Sequence, residues 1–151
     1  MRVYRLSDRQ FAVDLDGTGA KLFGGRWNHV GTSCIYTSAS RALSVLEFAA
    51  NVELEFFPSN LSITIYEVPD KEILTISNEE LPENWNDLSS PKSTKDFGTN
   101  LLMNSNTLCI QVPSVVVSQE FNYLINPACE KIKLIKVVDI NKFEFDTRVK
   151  K

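Results

Sequence analysis

"CIYTSASRALSVLEFAANV", residues 34–52, is the stretch on which the fold assignment turns. Its opening, Cys34–Thr37, is a short apolar and β-branched run of the kind that forms a strand. Ser38 comes next as an N-cap, its hydroxyl suited to accept from the free amides of a first helical turn. Beyond it Ala39, Ala42, Leu43, Leu46, Ala49 and Ala50 recur at helical spacing and predict one apolar stripe. Glu47 falls roughly 100° from the centre of that stripe, on its border. A border carboxylate can be anchored by the core and still face a cleft.

Outward from this unit the pattern is of short strands with few helices. Residues 1–6 alternate as a strand does, and the Gly-rich polar stretch between them and Cys34 reads as a structured loop. Leu61–Val68 alternates cleanly, and Glu72–Ile76 does so more weakly. Ser77–Asp96, with Pro82 and Pro91, reads as a surface excursion with a helical turn near Trp85. A short helix is expected over Thr94–Met103, weakened by Gly98. Leu108–Val112 forms an apolar strand ending at Pro113, and Ile132–Ile140 a long alternating one with Lys133 and Lys136 outward. The expectation is an α+β fold with a mixed or largely antiparallel sheet, residues 1–151 forming a single domain.

Composition narrows the function classes. The 151 residues, 43% hydrophobic and 23% charged, suit one globular unit with its own core. No apolar run approaches the ~18 residues of a membrane span, and the N-terminus is not signal-like, so a cytoplasmic location is expected. Cys34, Cys109 and Cys129 are odd in number and far apart, which argues for reduced thiols and against a zinc site. His29 is the only histidine, so no metal site built on several imidazoles is expected. A net charge of −3 argues against a nucleic-acid surface. The mildly basic tail, Arg148, Lys150 and Lys151, reads as a solvated end.

The chemistry-bearing residues concentrate in and after "GGRWNHVG", residues 24–31. Phosphate-loop spacing fails, because Gly19 to Gly24 continues with Gly25-Arg26 and not with Lys-Ser/Thr. A serine or cysteine hydrolase has only His29 for a base, and no nucleophile elbow surrounds Ser114. There remain Arg26 in a glycine-flanked loop, Tyr36 on a strand and Glu47 on a helix, which can meet around one concave site. Arginine offers a planar fork for a diphosphate or carboxylate, tyrosine a π face for a flat heterocycle, and glutamate a fixed charge for a developing cation. That set suits cleavage of an N-ribosyl bond through an oxocarbenium-like state. Taken singly, Arg26 suits a surface ion pair equally well, Tyr36 a core aromatic and Glu47 a solvated helix position.

Six motifs in order, "YRL" (4–6), "GGRWN" (24–28), "IYTS" (35–38), "ALSVLE" (42–47), "VPSVVV" (112–117) and "NYLINP" (122–127), cover nearly the whole chain. In these the sequence resembles the RES-domain toxins of bacterial toxin–antitoxin pairs. The resemblance implies a fold similar to the ADP-ribosyltransferase toxins. It implies an enzyme that takes NAD⁺ as substrate, with no further cofactor, cleaves the nicotinamide N-ribosyl bond as a glycohydrolase or phosphorylase, and arrests growth. Transfer of ADP-ribose to a protein is the alternative within that class, and a non-catalytic nucleotide- or partner-binding module the alternative outside it. The implied partner is an Xre-type helix-turn-helix antitoxin whose C-terminal part blocks the cleft, in an assembly that can hold more than one toxin copy. That partner, not this chain, would contact DNA.

By position, the resemblance assigns Arg26, Tyr36, Glu47 and Ser114 to catalysis, and Arg5, Gly25, Arg26, Tyr36 and Asn126 to substrate binding. Glu47 would stabilise the ribosyl cation or orient water, and Arg26 would hold the diphosphate or position Glu47. Tyr36 would stack on nicotinamide, and Ser114 would bond the ribose or a neighbouring catalytic side chain. Asn126 would bond ribose or hold the site loop, and Arg5 would bind phosphate or make a structural ion pair. Trp27 and Asn28 are expected to brace the loop, His29 to stand outside the site, and Ser44 to lie on the outer side of its helix.

Overall fold

The computed structural model describes residues 1–150, so Lys151 of the basic tail lies outside the described residues. Seven strands form one sheet: β1 (Arg2–Asp8), β2 (Ile35–Ser38), β3 (Leu61–Glu67), β4 (Ile73–Thr75), β5 (Cys109–Pro113), β6 (Phe121–Ile125) and β7 (Lys136–Phe143). Their order is β4-β5-β6-β2-β1-β3-β7, with only β4–β5 parallel. The expected α+β class with a mixed sheet is therefore the one the chain adopts. β1 is joined to β3 by a register running from Arg2↔Glu67 to Asp8↔Leu61, but to β2 by the single pair Tyr4↔Ser38. The seam between β1 and β2 is thus the least zipped line of the sheet.

Three α-helices accompany the sheet: α1 (Thr18–Phe23), α2 (Arg41–Asn51) and α3 (Lys92–Asn104). Helix α1 stands where a loop was expected. Its Leu22 and Phe23 are exposed, so it has no apolar face for a sequence pattern to reveal. Tertiary bonds hold it instead, Asn28 Nδ2 donating to Ala20 O and Gly31 N to Lys21 O. Helix α2 is capped by Ser40, whose hydroxyl accepts from Leu43 N, and not by Ser38. Its face differs from the expected stripe as well. Ala42, Leu46 and Ala50 are exposed, while Leu43, Ser44 and Ala49 are buried and Glu47 and Phe48 half-buried. The packing of Phe48 on Phe57, ring centres 5.1 Å apart, and the polar bonds of Glu47 described below set the rotation that the alanines leave undetermined.

β6 was not anticipated as a strand. Its Tyr123, Leu124 and Ile125 are all buried in the middle of the sheet, so the two-residue alternation that marks a half-exposed strand is missing. The predicted Ile132–Ile140 strand begins only at Lys136, because Ile132–Leu134 forms a 3-10 turn that drops Ile135 into the core. The tail is solvated at Arg148, whose side chain is 88% exposed, and docked on either side of it. Phe145 packs edge-on against Phe57 at 4.7 Å, and Lys150 Nζ donates to the carbonyls of Ala49 and Val52 at the end of α2. Cations are favourable at that end of a helix.

Gly98 does not weaken α3 so much as admit a neighbour. A Cβ there would lie 1.9 Å from the carbonyl oxygen of Trp27, so helix and loop touch backbone to backbone. Trp27 is 2% exposed and packs between Trp85 and Phe97, ring centres 6.1 and 6.3 Å away. No helix among the described residues is long and apolar enough to cross a membrane.

Gly98→Ala forces α3 off the Trp27 loop and should cost about 1–3 kcal/mol or more, read from the urea midpoint. Burial pushes the Cys34 thiol far up and the Cys109 thiol up to about 12, and Cys129 is buried beside them. Native protein should therefore give no fast reaction with a thiol reagent at pH 8, and three equivalents once unfolded.

Candidate active site

A cleft of about 630 Å³ opens over the β1–β2 seam. β1 supplies Tyr4, Arg5 and Leu6, and β2 supplies Tyr36, Thr37 and Ser38. Glu47 and Phe48 reach it from α2, Gly24–Trp27 from the glycine loop, and Val115, Val116 and Asn122 from the far side. The volume suits a small organic ligand.

Glu47 is held through one of its two oxygens. Its Oε1 accepts from Ser114 Oγ at 2.6 Å and from Asn122 Nδ2 at 2.6 Å. Ser114 is fully buried, and its Oγ in turn accepts from the backbone N–H groups of Val116 and Val117, each at 3.0 Å. Two amides therefore polarise the hydroxyl that donates to the carboxylate. Asn122 is oriented by Ser38, whose Oγ donates to Asn122 Oδ1 at 2.8 Å across the β2–β6 pair Ser38↔Asn122. Oε2 of Glu47 has no hydrogen-bond partner among the described residues.

The glycine loop forms the opposite wall. Tyr36 Oη donates to Asn28 Oδ1 at 2.6 Å and accepts from Trp27 N at 3.0 Å. Burial raises the Tyr36 phenol well above its usual range, with Cys34 adding to the effect, so it stays protonated and donates. Asn28 is fully buried, its Nδ2 donating to the carbonyls of Ala20, His29 and Thr32. Gly25 lies flat on the tyrosine ring, and a Cβ there would meet Tyr36 Oη at 2.5 Å. Only glycine fits beneath that hydroxyl.

Arg26 turns toward the segment before α3. Its Nη1 donates to Trp85 O at 2.9 Å and Asp87 O at 2.7 Å, and its Nη2 to Leu88 O at 3.2 Å. A guanidinium has five N–H donors, so these bonds leave Nε–H and one Nη2–H. Partial burial lowers its proton affinity, opposed chiefly by the nearby Glu47 charge, and it remains a cation at any neutral pH. Arg5 also lines the cleft, with its Nη1 sealed from solvent and without a partner.

The structure thus gathers Arg5, Gly25, Arg26, Tyr36 and Glu47 around one space, with Ser114 behind Glu47 rather than on the surface. Of the roles read for Ser114, the bond to a neighbouring side chain is the one it makes. Asn126 is not brought in. It is buried away from the cleft lining, and its amide bonds Leu102 O, Thr107 O and Ala128 N, so it ties α3 and the segment after it to the turn after β6 and touches neither the cleft nor the glycine loop. Ser44, expected outward, is buried and borders the cleft, its hydroxyl returned to Arg41 O at 2.7 Å. Trp27 and Asn28 brace the loop as expected, and His29 sits on Asp96 at 2.6 Å outside the cleft. Asn122 and Ser38 were overlooked as site residues. Each lies inside one of the six motifs, but only cross-strand register sets Ser38 on Asn122, and only the fold brings Asn122 to Glu47.

The chain has relatives among known proteins. The family described as RES domain matches residues 2–147. The chain is 38% identical over 143 residues to the Prs ADP-ribosylating toxin of Sphingobium sp. strain YBL2, covering 91% of this chain and 88% of that one. It is 33% identical over 152 residues to Toxin Res of Yersinia enterocolitica, covering 99% and 100%. Among solved structures it is similar to a chain in the crystal structure of the M. tuberculosis MbcT–MbcA toxin–antitoxin complex. That likeness has a TM-score of 0.65 at 15% identity and covers 94% of this chain and 83% of that one, which speaks to fold.

Whatever the cleft binds, removing the Ser114 hydroxyl strips Glu47 of one donor and leaves the Val116 and Val117 amides unpaired. Ser114→Ala should lower unfolding free energy by about 1.5–3 kcal/mol with an unchanged denaturant slope.

Proposed function

The chain belongs to the RES domain family, and from that premise we propose that it is a toxin that cleaves the nicotinamide N-ribosyl bond of NAD⁺. The observation that carries this reading is Glu47, a carboxylate tied down through Oε1 by Ser114 and Asn122 while Oε2 has no partner among the described residues. As the C1′–N bond breaks, its electron pair passes to the pyridinium nitrogen and neutral nicotinamide leaves. The positive charge then sits on the ribose, where a fixed carboxylate stabilises it without reorganising. The donors of Arg26 left free by the protein suit the diphosphate of the same molecule, and Arg5 adds a second cation to the same cleft. Tyr36, with its hydroxyl committed to the loop, serves as an aromatic wall against which nicotinamide stacks.

In the primary reading water or inorganic phosphate takes the ribosyl cation, and NAD⁺ is consumed in the cytoplasm until growth stops. Transfer of ADP-ribose to a protein is a second reading, favoured by the Sphingobium relative, which is named an ADP-ribosylating toxin. The toxin–antitoxin complex that supplies the similar fold supports an antitoxin as partner, proposed to be of the Xre helix-turn-helix type.

Purified protein free of any antitoxin, incubated with NAD⁺ with and without phosphate, should release nicotinamide. Silence under both conditions would overturn the reading, and calorimetric NAD⁺ binding without turnover would replace it with a binding module. Adenylate-labelled NAD⁺ separates the two acceptors, since label stays free as ADP-ribose or its phosphate, or marks a protein band. Glu47→Gln should lose about 10²–10³-fold in rate while keeping its far-UV circular dichroism.

A further inference from the structure

We propose that Asn122, held by Ser38, is a positioning residue that fixes which oxygen of Glu47 faces the substrate. The proposal rests on the reading of Glu47 as the group beside the reacting carbon. It concerns residues outside the arginine, tyrosine, glutamate and serine set.

A glutamate at a helix surface ordinarily samples several rotamers, and its two oxygens are chemically equivalent. Here they differ. Oε1 receives two charge-assisted bonds of 2.6 Å, from Ser114 just beyond β5 and from Asn122 on the adjacent strand β6. Two donors converging on one oxygen define a line, and the carboxylate can then only present Oε2 to the remaining space. The serine donor is fixed by two backbone amides. The asparagine donor needs an equal restraint, because an amide can rotate and present its oxygen to the carboxylate instead. Ser38 supplies that restraint: its hydroxyl donates to Oδ1 at 2.8 Å, so the NH₂ end is the one left for Glu47. Ser38 is 3% exposed and stands directly opposite Asn122 in the sheet, so the relay is built into strand register.

The row extends one strand further. Tyr4, Ser38 and Asn122 are consecutive partners across β1, β2 and β6, and Tyr4↔Ser38 is the only register pair closing the seam beneath the cleft. The relay therefore sits at the point where the two halves of the sheet are joined. The charged groups that share the cleft with this carboxylate are Arg26 from the loop and Arg5 from β1, both cations and neither bonded to Oε1.

Steady-state nicotinamide release by the full chain tests the relay. Asn122→Ala should lower kcat about 10–100-fold with KM changed less than about threefold, since the lost constraint matters most when charge develops. Ser38→Ala should lose less, and the double variant should be no slower than Asn122→Ala alone, because Ser38 acts through Asn122. Asn122→Asp sets a second carboxylate on Glu47 and should move the acidic limb of the kcat–pH profile upward, a readout that mere loosening of the sheet would not move. Wild-type kcat in Asn122→Ala, additive losses in the double variant, or an unmoved acidic limb would overturn the relay while leaving the proposed reaction standing. If the wild-type chain releases no nicotinamide, the reaction itself falls. Urea midpoints of Glu47→Ala, Asn122→Ala and their double variant then decide the contact: a double loss smaller than the sum supports it, and an additive one overturns it.

Discussion

The oxygen Oε1 of Glu47 is where the distant parts of this chain are tied together. Its two donors lie 67 and 75 residues further on, one in the turn after β5 and one in β6. A half-buried carboxylate is costly unless its lone pairs are filled, and here both donors are themselves held, one by amides and one by a neighbouring hydroxyl. The same bonds orient α2 on the sheet. They explain why Ser44 and Glu47 turn inward while Leu46 and two alanines turn to solvent. Fold and site share one set of interactions, so the helix cannot rotate toward its apolar stripe without leaving the carboxylate unpaired.

The glycine loop is the second fixed body, and it is made rigid by close packing. Gly25 beneath Tyr36 and Gly98 beneath Trp27 are contacts that a single methyl group would break. Both ends of the Asn28 amide are bonded, Nδ2 to carbonyls of α1 and the loop and Oδ1 to Tyr36. Arg26 extends the same logic to the segment before α3 by collecting three of its carbonyls. Since Leu88 of that segment also borders the cleft, Arg26 builds part of the wall. A site assembled from such restrained pieces meets the main demand of electrostatic catalysis, that dipoles and charges be in place before the reaction begins.

The open side of the design is the seam between β1 and β2. Where most ladders of this sheet run over several residues, this one closes with a single register pair, and the cleft lies above it. Space for a ligand is thus obtained from the sheet itself, with α2 and the glycine loop as the two jaws. Arg5 lines that opening, and its Nη1 is sealed from solvent with no hydrogen-bond partner among the described residues.

Several of these features were legible in the residues alone. The α+β class came from short strands around a few helices, β3 from its clean alternation, and the trio Arg26, Tyr36 and Glu47 from chemistry that suits one reaction, with motif order naming the family. Reduced thiols and the outlying position of His29 were readable too. These are local or compositional properties, carried by neighbours in the chain. Other features depended on contacts between residues far apart in sequence. β6 was hidden because a strand buried on both faces has no alternation, α1 because it has no apolar face, and the docked tail because its anchors are Phe57 and the end of α2. Asn122 and Asn126 stand four residues apart in the same motif and are chemically alike until register sets one against a carboxylate and the other against backbone carbonyls. Residue type states which bonds a side chain can make; only the folded chain, by deciding which partners come within hydrogen-bonding reach, determines which of them it does make.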